Sequence, residues 1–78
     1  MSDTNTRLLE IVSQVLLLEV DEITDSLRRK DYEPWDSMAH LMLISEVENQ
    51  FEIFFEDEEI VDIWTVADLR EFLLKKLS

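Results

Sequence analysis

The sequence predicts an all-α fold, a small bundle of three main helices plus one short helix, with a long first loop. Two observations carry this. Apolar residues recur at helical spacing in three separate segments. The one stretch with strand-like composition, Phe51 to Phe55, has no partner strand elsewhere in the chain. With 78 residues and 46% apolar content the chain makes one small domain, 1–78, near the lower end of what folds without disulfides or metals.

Taken in order, Leu8, Val12, Val15 and Leu16 fall on one face of a first helix from about Asn5 to Leu18, after a short N-terminus (1–5) expected to be flexible. A connection from about Glu19 to Asp36 follows, holding the only proline and the basic cluster Arg28-Arg29-Lys30. Its spaced apolar residues Val20, Ile23, Leu27, Tyr32 and Trp35 predict a loop pinned to the bundle, and long ordered loops in compact domains are usually functional. The second helix is predicted over Ser37 to Phe51, with Leu41, Ile44, Val47 and Phe51 facing the core. Glu56-Asp57-Glu58-Glu59-Ile60-Val61 predicts one short helix with acids in its favourable first turn, a solvated helix start rather than a metal loop. Thr65-Val66-Ala67-Asp68 has capping-box spacing, with Asp in place of Glu, and opens the last helix. That helix carries Val66, Leu69, Phe72, Leu73 and Leu77 inward and ends on Lys75 and Lys76, which complement its dipole.

Composition excludes several function classes. Nineteen acids against seven bases give a formal charge of −12. That sign repels nucleic-acid phosphates and anionic lipid, so neither is an expected partner, and it favours basic protein surfaces. Without cysteine and with His40 as the single histidine, neither thiol chemistry nor a Cys- or His-based metal site is expected. No apolar run approaches the roughly 18 residues a membrane span needs, and the polar Met1-Ser2-Asp3-Thr4-Asn5-Thr6 lacks the regions of a signal peptide. A soluble, cytoplasmic monomer is expected.

The second helix presents two faces. On a different side from the predicted core stripe lie Met38, Met42, Ser45 and Asn49, flanked by Glu46, and flexible thioethers suit adaptable contacts with a partner. Ser37 falls in the first turn, where unpaired N–H groups and the helix dipole favour a phosphate. On spacing alone, the simpler reading gives Asp36 the N-cap and leaves Ser37 an ordinary first-turn residue. A Ser37–His40–Asp36 hydrolase triad is disfavoured: Asp36 is tied to the same turn as Ser37, and no glycine shapes an oxyanion hole.

Trp35-Asp36-Ser37-Met38 resembles the attachment motif of the acyl carrier protein family, Asp-Ser-Leu at the head of the second helix, with Met38 standing for Leu. The similarity runs from about Thr6 to Leu77. It includes Leu41, Ile44, Val47 and Phe51 as inward positions, and Glu58 to Leu69 as the short helix and the Thr-Val start of the last one. The resemblance implies that Ser37 carries a 4′-phosphopantetheine arm installed from coenzyme A by a phosphopantetheinyl transferase, with Asp36 aiding the modification. It implies acyl or aminoacyl cargo held as thioesters, and a carrier that catalyses nothing itself. Its partners would be an acyl- or aminoacyl-activating enzyme, an acyltransferase or a ketosynthase with a basic docking surface. Met38, Met42, Glu46 and Glu48 are the candidate contacts. The alternative is a carrier-like helical interaction module that is never modified. Asp25-Ser26-Leu27 matches the literal motif better, but no sustained apolar stripe follows it, and Leu27 resembles a core anchor of the family's first loop. Ala39, Met42 and Asn49 stand where the family often has acids, and Trp before Asp-Ser resembles free-standing carriers of specialised pathways.

Overall fold

The computed structural model describes residues 3–78. Four α-helices run in chain order: α1 (Thr4–Leu16), α2 (Ser37–Phe51), α3 (Asp57–Asp62) and α4 (Val66–Leu77), with a single 3₁₀ turn at Val20–Glu22 after α1. No strand forms among the described residues, and the aromatic stretch after α2 is irregular chain. The first helix begins inside the segment expected to be a flexible terminus. Asp3 caps it by accepting from the Thr6 N–H at 2.7 Å, and Asn5 accepts from Arg70 Nε on α4. Residues 1 and 2 of that segment lie outside the described residues.

The core joins Leu8, Ile11, Val12 and Leu16 of α1 to Leu43, Ile44 and Val47 of α2 and to Val66, Leu69 and Leu73 of α4. Ile63 and two aromatics outside the main helices, Trp35 and Phe55, complete it. Three expectations shift here. Leu41, read as inward-facing, is 60% exposed, and Leu43 and His40 take the buried positions instead. Phe51 is half-buried at the margin, where Arg7 lies over its ring at 4.4 Å. Leu77, read as a core residue of α4, is exposed as the last residue of the helix.

The long loop is pinned, as its apolar spacing predicts, but not by Val20, which is exposed. Trp35 is its deepest anchor, 2% exposed, while Ile23, Leu27 and Tyr32 pack against the core margin. Backbone bonds do the rest. Arg28 and Thr65 form an isolated antiparallel bridge, Arg29 N–H donates to Trp64 O at 2.9 Å, and Val66 N–H donates to Leu27 O at 3.2 Å. Arg70 of α4 reaches Asp25 at 2.6 Å, and the Tyr32 hydroxyl donates to Leu16 O at 3.1 Å. The loop is thereby stitched to the start of α4, which positions everything upstream of α2.

Candidate functional site

Asp36 has extended backbone and its carboxylate accepts from the Ala39 N–H at 2.9 Å, so it is the N-cap of α2. Ser37 is therefore the first helical residue. Its side chain is exposed and makes no hydrogen bond among the described residues. The cap is already supplied by its neighbour, so the Ser37 hydroxyl has no structural task. The N–H groups of this first turn lack intrahelical partners and set a positive field around the hydroxyl.

The motif is held from beneath by two buried rings. Trp35 Nε1 donates to His40 Nδ1 at 3.0 Å, and His40 Nε2 lies 2.8 Å from the carbonyl of Ile60 on α3. An indole N–H only donates, so Nδ1 must accept and the imidazole proton sits on Nε2, donating to Ile60 O. Both ring nitrogens are committed. Burial, and secondarily the charge of Arg29, hold the imidazole below its ordinary pKa, against the opposing pull of the Ile60 carbonyl. His40 thus fastens the head of α2 to α3, and no nitrogen remains to activate Ser37. Ser26, the other candidate serine, sits in a turn with its Oγ 3.3 Å from Thr24 Oγ1 and no helix beginning there.

Outward from this anchor, Met38, Leu41, Met42, Ser45 and Glu46 line a shallow groove along α2. Met38 is 73% and Met42 54% exposed, and Leu41 joins them as a third large apolar side chain. Helical geometry explains the grouping: at 100° per residue from His40, Leu41 stands at the border of the face that Met38 and Met42 occupy. Glu46 is half-buried on the groove wall. Glu48 is engaged elsewhere, its carboxylate accepting from the Phe55 N–H at 2.8 Å and closing the turn after α2.

A second groove borders Ser37 itself, lined by Arg29, Lys30, Trp35, Asp36, Ser37 and Trp64. At Arg29 the basic cluster meets a ring and a carbonyl rather than an acid. Its guanidinium lies 3.9 Å over the Trp64 ring and donates to the Val61 carbonyl at 2.9 Å. Sequence reasoning missed this groove because Trp64 reaches it only through the 28–65 bridge. Two acids at the start of the short helix are also structural. Glu56 and Glu59 cap the start of α3 reciprocally, and Glu59 pairs with Lys76 at 2.8 Å. Among the described residues no group of three or more potential ligands is placed to hold a metal ion. None of the helices among them is long and apolar enough to cross a membrane.

No protein-family model matches the chain. Among solved structures, an acyl carrier protein from Thermotoga maritima superposes with a TM-score of 0.78 at 29% identity, over 94% of this chain and 85% of that one. Among curated proteins, the non-reducing polyketide synthase CTB1 of Cercospora nicotianae is 33% identical over 67 residues. That match takes in 86% of this chain and only 3% of the synthase.

Proposed function

From its membership of the acyl carrier protein family, we propose that the chain carries acyl groups on a 4′-phosphopantetheine arm attached to Ser37 and presents them to biosynthetic enzymes. The observation that supports this attachment site best is the state of Ser37, an exposed hydroxyl at the head of α2 whose capping task Asp36 has taken over. When bound, the arm supplies a thiol on which cargo rides as a thioester. The chain's own residues supply the rest. Ser37 offers the hydroxyl, the first turn of α2 favours the phosphodiester charge, and the Trp35–His40–Ile60 relay keeps that turn fixed while partners come and go.

The carrier performs no chemistry itself, since the one histidine near Ser37 has both nitrogens committed to structure. A phosphopantetheinyl transferase loads it in the cytoplasm, and it works as a monomer. Enzymes that add, extend or remove the cargo dock on the α2 face, where Met38, Met42 and Glu46 are the contacts, with Glu48 at its edge. The apolar character of that face makes recognition less purely electrostatic than charge alone would set. The polyketide synthase relative favours a specialised pathway over bulk fatty-acid synthesis.

Incubation with a broad-specificity transferase and coenzyme A, followed by intact mass, tests the attachment. The expected result is a gain of one phosphopantetheine, lost in Ser37→Ala and kept in Ser26→Ala. An unmodified wild-type chain would instead favour a carrier-like module that binds partners through the Met38–Leu41–Met42 groove and is never loaded.

A further inference from the structure

In a chain of net charge −12, two of the seven bases stand on the walls of a groove that borders Ser37. We propose that this groove is a seat for the arm, with Arg29 and Lys30 facing its phosphodiester and Trp64 its pantetheine portion. A loaded arm then lies against the first loop when no partner engages it. The proposal rests on the reading of Ser37 as the attachment site.

Placement comes first. Ser37 is itself part of the lining, so a phosphate esterified to its Oγ starts at the groove. Charge comes second. The walls carry Arg29 and Lys30 against the single carboxylate of Asp36, which is already turned to the Ala39 N–H as the cap. Among the described residues Lys30 has no salt-bridge partner, so its ammonium is free to meet an anion. Arg29 is held rigidly by the Trp64 ring and the Val61 carbonyl, so little side-chain entropy remains to be lost when an anion arrives. Shape and polarity come third. Beyond the cations the lining includes the indole of Trp64, which is 44% exposed and offers an apolar surface to the dimethyl group of a pantetheine chain. The pairing is partly solvent-exposed and therefore weak, easily broken by a partner and by salt.

The experiment uses the full chain carrying an isotope-labelled arm, first checked for loading by intact mass. At low ionic strength, cross-peaks are expected between the arm's methyl protons and the Trp64 indole protons, with arm relaxation slower than in free pantetheine. Raising the salt should remove both signals, and so should Lys30→Glu, an exposed position whose substitution leaves the core untouched. If Ser37 loads but the arm tumbles freely with no contact to Trp64, the seat does not exist and the carrier reading stands. Unchanged cross-peaks in Lys30→Glu or at high salt would remove the charge pairing from the proposal and overturn it in this form. Failure of loading itself overturns the attachment reading, and the seat with it.

Discussion

Trp35 Nε1 can only donate, and that fact sets the chemistry of the residue beneath the head of α2. With Nδ1 accepting from Trp35 and Nε2 donating to Ile60, His40 fits the fold in its neutral form alone. A proton added at Nδ1 would face the indole N–H, and burial already opposes the charge. The folded-state pKa is therefore depressed below the ordinary imidazole value of about 6.5 that the unfolded chain approaches. Between those two values the unfolded state binds more protons, so stability rises with pH. The His40 contribution is fully present above the unfolded pKa and is lost as pH falls toward the folded one. Denaturant titrations at successive pH values should show that decline below neutrality. His40→Gln, whose amide can accept from Trp35 and donate to Ile60, should flatten it. An equal slope in both proteins would show that carboxylates, not His40, govern this range.

At the scale of elements, α2 explains what the sequence could and could not disclose. Its existence, its start at Ser37 and the cap at Asp36 were legible because an apolar stripe follows a capping residue. Its rotation was not. Leu41, Ile44, Val47 and Phe51 make a sound stripe, yet the buried set is His40, Leu43, Ile44 and Val47. A histidine counts as polar in a hydrophobic pattern, so the stripe is drawn without His40 although its place at the core edge is legible, and exposed Leu41 and Met38 blurred the other edge. The groove beside Ser37 was hidden for a different reason, since Arg29 and Trp64 meet only across a long-range bridge. How α1 and α2 end is the remaining surprise. Both stop with a left-handed residue that is not glycine, Leu17 at φ 58 and Glu52 at φ 54, because the chain has no glycine to place there. At Glu52 the N–H closes on Glu48 O and that of Ile53 follows to the same carbonyl. Glu52→Gly should relieve the Cβ clash and raise stability by roughly 1 kcal/mol, less the entropy glycine gains in the unfolded chain. Because the change also removes a negative charge, Glu52→Gln is the control. Chemical denaturation should place the Gly variant's midpoint above both Gln and wild type, and a Gly midpoint at or below Gln would contradict the strain.

Over the whole molecule the question is whether charge helps or harms the fold. Two ion pairs, Arg70–Asp25 and Lys76–Glu59, are formed among the described residues, while Arg7 and Arg29 spend their donors on carbonyls and aromatic rings. Most of the 19 acids are therefore uncompensated within a body 31 × 31 × 19 Å. Attraction in the few pairs and repulsion among the many acids respond to salt in opposite directions. Pairs in contact are only modestly screened, whereas repulsion summed across the molecule depends on the screening length. Between about 0.01 M and about 0.1 M monovalent salt that length falls from roughly 30 Å, the span of the whole domain, to roughly 10 Å, the distance to near neighbours. The melting temperature should therefore climb steeply over that interval and more slowly above it. Glu33→Lys, at an exposed loop position, should raise the low-salt melting temperature and make the climb shallower. Thermal melts across a sodium chloride series read both effects. A melting temperature that falls with added salt would mean that the two pairs outweigh the repulsion and that the acidity costs the fold nothing.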